Sequence, residues 1–318
     1  MTAGPALTAD SGTADSGLSR DYPAPFPVDV PLTLSVHRHG GGDPTHATDA
    51  AGAVWRTSLT PDGPATLRVG HRSRSATVIA RAWGPGAGWL LDRVPGWLGF
   101  HDDRSGFTAH HPVVAELVLR FPGLRVGRTG RVFEALVPAV LEQKVVGREA
   151  HRAWRFLLLK YGEAAPGPAP AGMRVVPPPR TWARVPSWDW HRAGVEGVRA
   201  RTIMNAATVA ARLEEAVDLD PAEADRRLRS LPGIGVWTSA EIRQRAMGDP
   251  DAVSVGDYHL PNVVGWTLAR RKTDDAGMLE LLAPYAGHRY RVTRLMELGG
   301  SGPPRRGPRM SVRDYRSF

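Results

Sequence analysis

Apolar and polar positions along the chain change their period near residue 110. From Pro31 to about Trp83 the pattern is strand-like. Leu32, Leu34 and Val36 alternate with polar positions. The runs from Val54 to Leu59 and from Ala65 to Val69 flank Thr60-Pro61-Asp62-Gly63-Pro64, a turn cluster that predicts a hairpin, and Ala76 to Trp83 reads as a further strand. A short helix is expected from Gly88 to Arg93. From His110 the spacing becomes helical. Pro112 opens one run through Phe121. A second run carries Val132, Phe133, Leu136, Val137, Val140, Leu141 and Val145, with Pro138 inside it predicting a kink. Further helices are predicted over 150–161, 198–217, 221–230, 236–247, 258–266, 275–285 and 288–298, the one at Pro221 capped by Asp220. The Pro/Gly/Ala-rich stretch 164–179 reads as a long loop.

These patterns divide the chain into a disordered tail (1–30), a small β-rich N-terminal domain (31–108), a helical region (109–299) and a flexible basic tail (300–318). The fold class expected is mostly α, with two lobes and an α+β N-terminal part. Hydrophobic residues make up 42% of the 318 and charged residues 23%, enough apolar material for a sizeable core. No apolar run approaches the roughly eighteen residues of a membrane span, and the N-terminus lacks an apolar signal segment, so a cytoplasmic protein is expected. The absence of cysteine excludes disulfides, thiol nucleophiles and Cys-ligated metal centres. Net charge is +9, and apart from Lys144, Lys160 and Lys272 every basic side chain other than histidine is arginine. A basic surface points to an anionic partner, nucleic acid being the simplest. A GC-rich genome would write the same arginine bias without any such partner.

The segment that carries chemistry is Leu231-Pro232-Gly233-Ile234-Gly235-Val236-Trp237-Thr238. One helix ends near Ser230, a tight turn with two glycines follows, and a second helix begins. Such a turn aims backbone N–H groups and the positive end of a helix dipole at a phosphate, and side chains at Gly233 and Gly235 would block close approach. An ordinary helix–turn–helix corner has the same spacing. Other candidates are weaker. His37, His39 and His46, and the adjacent His110 and His111, lack the spacing of a helical zinc site. Gly84-x-Gly86-x-Gly88 is not a dinucleotide fingerprint, and no Walker lysine loop is present.

The arrangement resembles the helix–hairpin–helix DNA glycosylase superfamily, in which an L-P-G-[IV]-G hairpin is followed by an essential Asp. Asp257 lies twenty residues after Trp237, at the position that matches, and is followed by Tyr258. Bifunctional members carry a Schiff-base lysine two residues after the second hairpin glycine. Trp237 stands there, which resembles the alkylated-base branch, the 3-methyladenine DNA glycosylase II type. The stretch from Phe133 to Gln143 is similar to that branch's F-E-x-x-V-x-x-I-L-x-Q helix, and its members also have a β-rich domain ahead of the helices.

The resemblance implies a monofunctional DNA N-glycosylase that hydrolyses the glycosidic bond of alkylated purines in duplex DNA, in base excision repair. It implies Asp257 as the catalytic carboxylate, a base pocket of Trp237, Glu241, Gln143, Tyr258 and Glu297, and DNA contacts from Gly233, Ile234, Gly235, Thr238 and Lys144. No redox cofactor is implied. A structural Na⁺ or K⁺ would sit at the backbone carbonyls of Arg229, Leu231 and Ile234. The partner would be double-stranded DNA with damaged bases, bound by a monomer in the cytoplasm at the nucleoid, with no membrane association. The chemistry suits an Asp: bond cleavage builds positive charge on the sugar, and a fixed carboxylate stabilises it and orients water. An extruded electron-poor base would stack on Trp237.

Two departures matter. Glu241 and Glu297 stand where relatives carry aromatics, so carboxylates in the pocket would favour cationic bases. Lys144 stands where relatives carry an apolar wedge. A same-fold enzyme for another lesion and a catalytically silent DNA-binding module remain as alternative readings; the retained Asp257 argues against the second. A plain helix–turn–helix regulator would show dimerisation elements, and none is visible.

Overall fold

The computed structural model describes residues 8–9, 17–71 and 76–302. Six antiparallel strands form the N-terminal sheet: β1 (Thr8–Ala9), β2 (Leu18–Pro23), β3 (His46–Thr48), β4 (Val54–Thr60), β5 (Gly63–His71) and β6 (Thr77–Trp83). Their order is β1-β2-β6-β5-β4-β3. The predicted hairpin is present: Thr60 pairs with Gly63, leaving the two-residue turn Pro61–Asp62. Ala65, Leu67, Val69, Val78, Ala80 and Ala82 face a common core. Against them packs α2 (Ala87–Trp97) through Leu90, Leu91, Val94 and Trp97.

Two expectations for this region are overturned. Residues 18–23, assigned to a disordered tail, form β2 and pair with β6 along its whole length. Only Tyr22 of that strand is buried, its hydroxyl donating to the Leu91 carbonyl at 2.5 Å, so an almost wholly polar edge strand left no hydrophobic signal. The alternation at Leu32, Leu34 and Val36 is not a strand. Residues Val30–Leu34 form helix α1, with the Asp29 side chain accepting from the Leu32 amide and Pro31 in the first turn. The cap and the proline decide the local conformation against the period-two pattern. The expected tail from residue 303 onward lies outside the described residues.

The helical region contains α3 (Pro112–Arg120), α4 (Val132–Leu141), α5 (Gly147–Tyr161), α6 (Pro179–Trp182), α7 (Ser187–Ala193), α8 (Gly197–Thr208), α9 (Ala210–Glu214), α10 (Pro221–Arg229), α11 (Val236–Ile242), α12 (Leu260–Ala269), α13 (Asp275–Leu282) and α14 (Arg289–Gly299). It has two cores. One gathers around α4, with Leu136 and Val140 packed among Trp154, Trp182, Trp190, Ile203, Leu213, Leu228 and Ile242. The other joins Val114 and Leu117 of α3 to Val264, Met278, Leu282, Val292 and Met296. The molecule is thus mostly helical and bilobal, and α3 precedes α4 in sequence yet belongs with the C-terminal helices.

Several boundaries differ from the periodicity. The helix expected to reach Val145 stops at Leu141. The one expected over 198–217 breaks at Val209. The one expected over 236–247 passes at Arg243 into a π turn ending at Met247. The 164–179 loop carries a two-stranded pair, β7 (Glu163–Ala164) with β8 (Arg174–Val175). Helix α4 is tied to the sheet through Glu134, whose carboxylate accepts from Arg56 at 3.0 Å and from the Ser58 hydroxyl at 2.7 Å in a nearly solvent-free setting. Among the described residues no helix is long and apolar enough to cross a membrane.

Candidate nucleic-acid interface and active site

Helix α10 is capped as expected, Asp220 accepting from the Ala222 and Glu223 amides at 3.0 Å. The chain then turns through Leu231 to Gly235 and enters α11. The two glycines of this turn do different work. Gly233 has φ +91°, and a Cβ there would stand 2.1 Å from Thr202 Oγ1. It is required by the fold itself. Gly235, the residue before α11, is in extended conformation and a Cβ there would meet nothing within 4 Å. No side chain caps α11. Its first-turn amides therefore lie beside an exposed, unencumbered backbone, the arrangement that receives a phosphate.

Three residues expected to touch DNA or base have structural work instead. Gln143 donates from Nε2 to the Gly233 carbonyl at 2.9 Å and to Thr238 Oγ1 at 2.8 Å, fastening the α4–α5 turn to the hairpin. Its amide is a brace and not a free pocket group. Thr238 and Ile234 are buried, because the hairpin turns them into the core, and neither can be a surface DNA contact. Lys144, next to Gln143, is exposed and has φ +55°, one of two non-glycine residues with positive φ among those described. A conformation costing of order 1 kcal/mol, kept in a turn pinned by its neighbour, presents this lysine outward beside the hairpin.

Asp257 stands where the two lobes join, in the connection between α11 and α12. Its Oδ1 accepts from the amides of His259 (2.7 Å) and Leu260 (2.8 Å), and its Oδ2 accepts from Trp237 Nε1 at 3.1 Å. Three N–H donors thus fix one partly accessible carboxylate at the start of α12. Trp237, expected as a stacking surface, also orients Asp257 through its indole N–H. Tyr258, expected in the base pocket, is 77% exposed, its ring edge-on to His259. Following Asp257 in a turn whose carboxylate points inward, it points outward to the rim.

The two unexpected glutamates do not make an acidic pocket. Glu241, one turn beyond Trp237, binds Ser254 Oγ at 2.5 Å and Arg245 at 2.6 Å. Arg245 also donates to the Val36 carbonyl, so the segment after α1 forms one wall. Burial acts against the charge of Arg245, but Glu241, Tyr290 and Glu142 around it raise its pKa. Glu297 on α14 pairs with Arg294 at 3.3 Å, and Arg294 reaches Ser35 Oγ at 2.8 Å. Burial pushes the Glu297 carboxyl above its ordinary value, Arg294 opposing and Glu241 adding to the shift. Glu142, at the end of α4, is flanked by His39 at 3.4 Å and His151 at 4.0 Å. Although burial works to raise it, these histidines and Arg245 hold it below the usual carboxylate range. Sequence reasoning missed Arg245, Arg294, Ser254 and Glu142. Of these, only Arg245 left a readable signal, its i,i+4 spacing from Glu241.

Among the described residues no cluster of three or more His, Asp or Glu side chains could hold a metal. The hairpin carbonyls supply neutral oxygens, the donor type of a hard monovalent cation; that of Leu231 already accepts from the Ile234 amide at 3.1 Å and keeps one lone pair.

No protein-family model matches the chain. A curated relative, the probable bifunctional transcriptional activator/DNA repair enzyme AlkA of Mycobacterium tuberculosis, is 32% identical over 153 residues. That match covers 47% of this chain and 30% of the relative's length. Among solved structures, a 3-methyladenine DNA-glycosylase from Archaeoglobus fulgidus superposes with a TM-score of 0.72 at 16% identity, over 87% of this chain and 96% of that one. The 8-oxoguanine glycosylase/lyase of Clostridium acetobutylicum, in complex with double-stranded DNA, gives 0.68 at 11% identity, over 92% and 96%.

Proposed function

We propose that this chain, which has the fold of the helix–hairpin–helix DNA glycosylases, is itself a DNA N-glycosylase that removes alkylated purines from duplex DNA. One observation carries the reading: the Asp257 carboxylate is held by three N–H donors at the junction of the lobes, twenty residues from a hairpin whose outer glycine is open. Neither a DNA-binding module nor a regulator needs that carboxylate. The curated relative and the solved structures support the same class.

The residues divide the reaction as follows. Gly235 and the first amides of α11 bind the DNA backbone, and exposed Lys144 approaches the duplex beside them. Phosphate contacts hold position without reading sequence. The damaged base leaves the stack and enters beside Trp237. Asp257, oriented by Trp237 and by the start of α12, stabilises the positive charge that builds on the sugar and aligns the attacking water. Trp237 at the lysine position makes the enzyme a hydrolase that leaves the abasic strand intact. The carbonyls of Arg229, Leu231 and Ile234 would hold a Na⁺ or K⁺ that steadies the hairpin, and no chemical step passes through it. The enzyme acts as a monomer at the nucleoid.

The test is base release from duplexes carrying 3-methyladenine or 7-methylguanine, followed by borohydride trapping. Release with an intact abasic strand and no trapped adduct is expected. Absence of release from either duplex contradicts the reading. A covalent adduct lost in Lys144→Ala contradicts the hydrolase assignment.

A further inference from the structure

Helix α14 buries Tyr290, Arg291, Val292, Thr293, Leu295 and Met296, and Glu297 departs from that run with a side chain 45% accessible. The group lies in a concave place: surrounding protein penalises its charge even though solvent reaches it. Across the lobe junction it faces Glu241 and Arg245. Glu241 is spoken for, with one oxygen on Ser254, the other on Arg245, and a side chain only 12% accessible. Arg245 is engaged with Glu241 and the Val36 carbonyl. Arg294 is divided between Ser35 and a single oxygen of Glu297, Oε2. Among the described residues, Oε1 of Glu297 accepts nothing. It is an acceptor, in a setting that costs it hydration, with no donor supplied by the protein.

Both glutamates carry an arginine partner, so the charge of this wall is balanced. A preference for cationic bases, expected from the bare carboxylates in the sequence, has no basis here. Hydrogen bonding remains. Resting on the glycosylase reading above, we infer that Glu297 is a specificity-determining residue that accepts a hydrogen bond from the Watson–Crick edge of the extruded base, selecting purine lesions that keep an N–H donor there. Hypoxanthine and 7-methylguanine present a ring N–H on that edge, and 3-methyladenine an amino group. In 1,N6-ethenoadenine both edge nitrogens are tied into a second ring and no donor is left. A site with a desolvated acceptor rejects a ligand that leaves it unpaired.

The experiment is single-turnover release of hypoxanthine and of 1,N6-ethenoadenine by the full chain and by Glu297→Met and Glu297→Gln. Comparing the hypoxanthine/ethenoadenine ratio between chains cancels the intrinsic strengths of the two glycosidic bonds. Glu297→Met keeps length and loses the acceptor, and the ratio is expected to fall about tenfold, the loss of one hydrogen bond to a polar site. Glu297→Gln keeps an acceptor oxygen, and its ratio is expected to stay within about threefold of the parent. Glu297→Ala replaces the Met variant if circular dichroism shows that chain unfolded. An unchanged ratio on loss of the acceptor, an equal loss for both bases, or a fall in Glu297→Gln matching that in Glu297→Met overturns the inference and leaves the glycosylase reading standing. Release of no base by the parent chain overturns both.

Discussion

Gly233 and Gly235 are two residues apart in one motif, yet only the structure separates their duties. Gly233 occupies φ +91° with Thr202 Oγ1 where a Cβ would go; Gly235 is extended and open. Gly233→Ala is therefore expected to cost about 2–3 kcal/mol of stability from strain and overlap, read as a lowered thermal midpoint. Gly235→Val is expected to leave the midpoint unchanged and to weaken binding of undamaged and damaged duplex alike by about tenfold, because the added methyls stand where a phosphate approaches. Normal duplex affinity in that folded variant would contradict the role given to the hairpin. The motif itself was plain in the sequence, as was Asp257, because both are fixed by spacing. The partner that orients Asp257 was not, since an indole N–H reaching a carboxylate twenty residues away depends on how the two lobes meet. The neutralisation of Glu297 by Arg294 and the outward turn of Tyr258 were hidden for the same reason.

At the scale of elements, periodicity located nearly every helix and misjudged where several end. Helix α4 was expected to run to Val145, but its last turn closes at Leu141 and the next residues make the turn that holds Gln143 against the hairpin. A turn stabilised by a contact ninety residues away leaves no local trace. Gln143→Ala removes both hydrogen bonds and leaves the Gly233 carbonyl without that donor. A loss of about 1–2 kcal/mol is expected, together with weaker duplex binding as the Lys144 turn loosens from the hairpin. Equilibrium denaturation and fluorescence anisotropy measure the two effects, and an unchanged affinity would separate the brace from DNA binding. The segment around α1 shows a different limit. Three alternating apolar residues suggested a strand, and Asp29 with Pro31 at the helix start outweighed them. The Asp29-x-Pro31 signal was readable and lost to a pattern that is weak over so short a run.

Across the whole molecule, the N-terminal sheet is joined to the helical core by buried polar contacts that composition could not disclose. Arg56 reaches Glu134 of α4 and the His37 carbonyl, and His46 is buried nearby. Burial pulls His46 down from 6.5 to about 4, with Arg56 adding to the effect. A histidine kept neutral in the folded chain and free to protonate when unfolded contributes stability that is present above pH 6.5 and lost as pH falls to about 4. That contribution is at most about 3 kcal/mol. Neither ring nitrogen of His46 has a hydrogen-bond partner, so His46→Leu is expected to flatten, without abolishing, the fall of the thermal midpoint between pH 7 and 4. The remaining slope comes in part from His37, which burial also holds neutral. An unflattened profile would place the acid sensitivity elsewhere.

The two lobes, the hairpin and the sheet all converge on one carboxylate, and the account stands on what it does. Single-turnover release of 7-methylguanine by Asp257→Asn tests this most directly, with duplex affinity measured on the same preparation. The amide keeps the size of the group, and its remaining oxygen can still accept from the start of α12. It lacks the charge that stabilises the sugar cation. Release is expected to fall by about a hundredfold or more while duplex affinity stays within about threefold of the parent. Near-parental release by the folded Asn variant would contradict the assignment of Asp257 as the catalytic group.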